Sequence, residues 1–161
     1  MIIISDTSPI INLAIIGELR LIKAIFNKVI IPHAVYHEIV IAGAGLPGSI
    51  DIQNADWVEV KQCTDLTLLN QLRNSLHYGE AEGITLALET NAELLLIDED
   101  DGRTVALAYG LTVTGTLGII LRAKSQGLIP FVKPLMDSLI QNARFFVSNH
   151  LYQRILSLAG E

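Results

Sequence analysis

Met1-Ile2-Ile3-Ile4-Ser5-Asp6-Thr7-Ser8-Pro9-Ile10 opens the chain, and its reading decides the fold. Ile2 to Ser5 is short and apolar on both faces, as a strand buried inside a parallel sheet must be. Ser8-Pro9 then starts a helix, with Ser8 as N-cap and Pro9 in the first turn, where its missing N–H costs nothing. A buried strand, an acidic turn and a helix start make the first half of an α/β unit.

The pattern returns outward from there. Val29 to Ile31 reads as a strand ended by Pro32, which opens a helix running to about Ala42. Trp57 to Val60, Leu94 to Ile97 and Leu111 to Thr114 read as further strands. Helical spacing marks Glu18 to Phe26, Asp65 to Arg73, Gly79 to Glu89, Gly102 to Ala108 and Leu117 to Lys124. Gly43, Gly45, Pro47 and Gly48 make a loop, and Pro134 to Ala159 reads as two more helices with Ser148 capping the second. Strands alternating with helices predict an α/β protein, a three-layer α/β/α fold with a central parallel sheet of four to five strands. No repeat or linker interrupts it, so residues 1–161 are expected to form a single domain.

Bulk properties narrow the class. With 50% hydrophobic and 17% charged residues, the chain is core-rich and not disordered. No apolar run approaches the roughly 18 residues needed to span a bilayer. Met1 to Ile4 has no basic flank or cleavage site, so no secretory signal is expected and a cytoplasmic location is the default. The lone Cys63 reads as an idle thiol. A net charge of −6 argues against a broad basic face for nucleic acid but not against nucleic acid as a substrate.

Four carboxylates stand out because each interrupts an apolar stretch. Asp6 follows the first strand, at the edge where open α/β sheets bind ligands; a capping role would also explain it. Glu38 falls on the apolar arc of its helix, with Ala34, Val35, Ile41 and Ala42, and reads either as an inward ligand or as a helix-edge Glu. Glu80 shares the face of Ile84, Ala87 and Leu88, whereas Glu82 groups with more polar residues and could support the site or merely favour a helix start. Asp98 repeats the placement of Asp6, the first acid after a four-residue apolar strand; if the two strands are neighbours where strand order reverses, the two acids converge. Glu99 and Asp100 read as solvated loop. Ionised groups brought together away from water need a cation, and an all-oxygen set suits Mg²⁺ or Mn²⁺ rather than zinc. His33 and His37, four apart, lack further ligands and read as exposed.

Ser5-Asp6-Thr7-Ser8-Pro9-Ile10, the Pro32 helix with Glu38 at its end, Gly79-Glu80-Ala81-Glu82-Gly83-Ile84 and Leu95-Leu96-Ile97-Asp98 resemble the acidic motifs of PIN domains. Gly102-Arg103, Val113-Thr114-Gly115-Thr116-Leu117-Gly118 and Ala123-Lys124 through Gly160-Glu161 are similar to a PIN-like subgroup related to VapC-type toxins. The resemblance implies a metal-dependent ribonuclease in which four acidic positions, here Asp6, Glu38, Glu80 and Asp98, meet as the catalytic and metal site. Many PIN domains carry Asp at the third position, where Glu80 and Glu82 compete here, and Asp101 could add a ligand. The resemblance also implies an RNA substrate, a small antitoxin partner covering the acidic groove, and a homodimer without membrane association.

On this reading the ion activates a water for in-line attack on the phosphodiester and steadies the leaving oxygen. Ser8, Arg103 and Thr116 are candidate substrate contacts; as cap, surface and turn residues they have structural reasons to be present too. Two other classes compete. One is a catalytically weak or inactive PIN-like module that binds nucleic acid or protein, which a metal-dependent RNA assay separates. The other is a receiver or phosphatase domain, against which Asp6 lacks a second Asp two residues on.

Overall fold

The computed structural model describes residues Met1–Glu161. Five strands, β1 (Ile3–Ser5), β2 (Val29–Pro32), β3 (Val58–Lys61), β4 (Leu94–Leu96) and β5 (Val113–Thr114), form a wholly parallel sheet in the order β3-β2-β1-β4-β5. The helices are α1 (Thr7–Ile15), α2 (Arg20–Phe26), α3 (His33–Tyr36), α4 (Ser49–Gln53), α5 (Leu66–Leu72), α6 (Tyr78–Thr90), α7 (Asp100–Ala108), α8 (Thr116–Ser125), α9 (Lys133–Asn142) and α10 (Asn149–Leu158). None is long and apolar enough to cross a membrane.

Successive strand residues point to opposite faces, and both faces are covered. Ile3, Val29, Ile31, Leu94 and Leu96 join an apolar cluster completed by α1, α2, α8, α9 and α10. Ile4, Ile30, Leu95 and Ile97 join a second one beneath α5, α6 and α7. The expected three-layer α/β/α architecture with a parallel sheet is therefore present, with five strands.

Several boundaries differ, each for a local reason. The N-cap of α1 is Asp6, in extended conformation, so Ser8 already lies inside the helix and Pro9 remains in its first turn. The acidic run expected to be loop is partly helical: Glu99 is the N-cap of α7, and Asp100 and Asp101 sit in its first turn, where negative charge favours the helix dipole. After the Gly43–Gly48 loop, α4 forms a turn the sequence reading did not expect.

The helix expected from Pro32 to about Ala42 changes character midway. After α3, residues His37–Ala42 form a π-helix. Its i→i+5 bonding widens the turn, so a count of 100° per residue drifts out of phase. Ile39 and Val40 are buried, while Ile41, Ala42 and Glu38 are exposed. The buried arc anticipated for Glu38, Ile41 and Ala42 is thereby corrected.

Candidate active site

Strand order reverses between β1 and β4. These strands pair in register, Ser5 beside Leu96, and the Asp6 N–H continues the ladder to the Leu96 carbonyl at 2.9 Å. The chain therefore leaves the sheet on both sides of the same crevice, and Asp6 and Asp98 emerge there. Burial of Ile3, Ile4, Leu95 and Leu96, at roughly 1.5–3 kcal/mol for each fully buried large aliphatic side chain, stabilises this edge and opposes the repulsion between the acids that follow.

Asp6 is the centre of the arrangement, only 3% exposed. Its carboxyl is pushed up to about 7, first by burial and then by the charges of Glu80, Glu38 and Asp98, with the Thr7 backbone N–H pulling partly the other way. Gly79, in the first turn of α6, allows the close approach: a Cβ there would stand 2.9 Å from Asp6 Oδ1 and 3.4 Å from Glu38 Oε2. Glu38 reaches in from the solvent side and is steadied by the Thr7 hydroxyl, which donates to its Oε2 at 2.8 Å.

Glu80 is 6% exposed. Its Oε1 accepts from the His77 backbone N–H at 3.2 Å in a capping box, whereas its Oε2 is buried with no hydrogen-bond partner. Burial raises its pKa, the His77 backbone partly offsets this, and the neighbouring charges of Glu99 and Asp101 add to the rise. Those two residues share a cleft of about 340 Å³ with Glu80. Gly102 leaves room for the orphaned oxygen, since a Cβ there would lie 2.6 Å from it.

Asp98 is half-buried and held on both oxygens. Oδ1 accepts from the Thr116 N–H at 2.7 Å; Oδ2 accepts from the Thr116 hydroxyl at 2.6 Å and from Asn12 Nδ2 at 3.1 Å. Thr116, singled out as a substrate contact, thus fastens Asp98 to the start of α8. Arg103 donates from Nη1 to the Ile97 carbonyl at 2.9 Å, beside Asp98 without forming an ion pair with it. Ser8 is half-buried and makes no hydrogen bond to the acids.

Glu82 faces elsewhere. Its Oε1 accepts from the Ala34 N–H at 3.2 Å and its Oε2 pairs with Arg73 Nη2 at 3.4 Å, so it ties α6 to α3 and α5. Cys63 is buried against the same turn, donating to the Glu82 carbonyl, and burial together with the Glu82 charge pushes its thiol up to about 12, an inert group.

Thr7, Asn12 and Gly79 have no role assigned from sequence, and Glu99 reads there as solvated loop. Asn12 carried a signal, being the sole polar residue between Pro9 and Ile16; the others become visible only when the elements are assembled.

The donor set fits a hard divalent ion in charge and chemistry. Four carboxylates are gathered, no Lys or Arg pairs with any of them, and one buried oxygen is unsatisfied. As placed, no three acidic, His or Cys side chains are drawn closely enough together to hold one ion. Glu38 is the solvent-exposed member of the four, held by the single hydrogen bond from Thr7.

No curated protein matches the chain in sequence. A family model described as a PIN domain matches residues 2–161, nearly the entire length. With the strand order and the acidic crevice in view, that match places the chain in the PIN-domain family.

Proposed function

We propose that this PIN domain is a ribonuclease that hydrolyses RNA phosphodiester bonds, with Asp6, Glu38, Glu80 and Asp98 as its acidic site and Mg²⁺ or Mn²⁺ as its ion. PIN domains are generally metal-dependent nucleases. The observation that carries the reading is the convergence of these acids on buried Asp6 with no Lys or Arg paired to any of them. When bound, a divalent ion supplies Lewis acidity for water activation and for the leaving oxygen.

The chain's own residues do the positioning. Asp98 is held by Thr116 and Asn12, and Asp6 is buried at the end of β1. Glu38 and the free Oε2 of Glu80 supply the adaptable donors, with Asp101 and Glu99 nearby to raise the negative potential. Arg103 stands beside Asp98, where a phosphate of the substrate would be met.

The same reading makes the protein the toxin half of a toxin–antitoxin pair, acting as a homodimer and neutralised by a small partner laid over the acidic groove. The resemblance to VapC-related sequences supports it, and exposed Phe131, Phe146 and Leu158 offer apolar surface to a second copy. Growth arrest on expression, absent for Asp6→Asn, tests the toxin role; sedimentation of the purified protein tests the dimer.

A non-catalytic binding module is favoured by one feature, the engagement of both Asp98 oxygens by protein donors, Oδ2 by two of them. Incubation with mixed RNA and Mn²⁺, with and without chelator, separates the two. Cleavage that disappears with chelator and in folded Asp6→Asn and Asp98→Asn proteins is expected; unaltered cleavage in both variants removes the acidic site.

A further inference from the structure

An open groove of about 750 Å³ adjoins the acidic crevice, with Glu38 and Gly79 on its near side. Its lining includes His33, His37 and His77, three of the chain's four histidines, so this wall offers imidazole N–H donors beside Glu38 despite the protein's net negative charge. Glu82 also lines it, but its carboxylate is engaged with Ala34 and Arg73.

Tyr78, the first residue of α6, projects into this groove and is 64% exposed. A solvated tyrosine ring ordinarily has little to orient it. Here the Arg73 guanidinium lies over one face, 4.5 Å from the ring centroid, and Arg73 is itself tethered to buried Glu82. The cation backs one face of the π system, and the exposed ring offers the other to the groove. The next residue is Gly79, against which Asp6 and Glu38 pack, so consecutive Cα atoms about 3.8 Å apart carry the ring and the floor of the acidic site.

We propose that Tyr78 is a stacking platform for an unpaired base next to the scissile phosphate, preset by Arg73 and Glu82. The inference rests on the ribonuclease reading for its substrate. Aromatic stacking accepts any base, because each has a π face, but it requires that the base be unstacked from its neighbours. Duplex RNA withholds its bases and gains nothing from the ring.

Cleavage of one labelled mixed-sequence strand is compared with cleavage of the same strand annealed to its complement, using the full chain with Mn²⁺, together with binding of the single strand by fluorescence anisotropy. Tyr78→Ala is expected to lose roughly tenfold in kcat/KM on the single strand, mainly through KM, while Tyr78→Phe and Tyr78→Trp stay within about twofold. Unaltered binding and cleavage in Tyr78→Ala, or equal wild-type cleavage of both RNAs, overturns the platform while leaving the ribonuclease reading intact. If wild-type protein binds the single strand without cutting it and Tyr78→Ala loses that binding, the platform stands and the ribonuclease reading falls. Because Tyr78 is exposed, all three variants are expected to fold, which circular dichroism checks.

Discussion

Glu80 and Glu82 stand two residues apart on α6, are equally buried at 6% and 7% exposure, and have opposite surroundings. Glu82 has a guanidinium and a backbone N–H to accept from, and it joins three helices. Glu80 has one oxygen capped by His77 and the other bare, among Asp6, Glu99 and Asp101. Burial alone therefore does not mark a functional carboxylate. A buried acid with partners is scaffold; a buried acid left among its own kind is held there by the fold against its own electrostatics, and a cation relieves it.

The sharpest way to break this comparison is kinetic. Asp6→Asn is expected to lower Mn²⁺-dependent RNA cleavage by about a thousandfold or more, and Glu80→Gln by about a hundredfold. Glu82→Gln should stay within a few-fold. Initial rates on a labelled RNA decide it, and a Glu82 variant as damaged as the Glu80 variant would exchange their roles.

Next in size is a pH effect on the metal-free protein. Asp6 titrates near 7 in the folded state and at the ordinary 3.8 once unfolded, so the native state binds the proton more tightly. Stability is then greatest below about pH 4 on this account and is lost as pH rises through 7, by as much as about 4 kcal/mol. Urea denaturation in chelator should show that decline in wild type and a smaller one in Asp6→Asn, where Glu80 alone still contributes, read as the difference between the two proteins. Mn²⁺ should restore wild-type stability at pH 8 but add little to the variant.

On the other side of the comparison, Glu82→Ala is expected to destabilise the fold by about 2 kcal/mol. Breaking a buried pair costs more than that, but Arg73 is a third exposed and water compensates it. Glu80→Gln in the same urea experiment should be neutral or stabilising. The smallest effect is expected at the support of Asp98: Thr116→Val, which removes the hydroxyl donor and keeps the backbone one, should cost roughly tenfold in cleavage.

Much of this organisation is legible in the primary structure because buried parallel strands must be apolar on both faces. Four-residue, largely apolar runs followed by an acid, at Ile2-Ile3-Ile4-Ser5-Asp6 and at Leu94-Leu95-Leu96-Ile97-Asp98, declare both the sheet and the positions at its carboxyl edge. The arc containing Glu38 was misread, since a constant 100° step does not anticipate a π turn at His37–Ala42. The Asp98 supports, Asn12 and Thr116, lie 86 and 18 residues from it in sequence, and no local pattern links them.

The sequence by itself determined an α/β chain and the acids that could gather in it, because apolar periodicity and the expense of an isolated charge are properties of local residue order. Tertiary structure alone decided that β1 and β4 are neighbours, that Glu82 has a guanidinium while Glu80 has only an exposed imidazole beside one oxygen, and that Arg73 backs Tyr78. Those facts depend on which surfaces meet when distant segments pack.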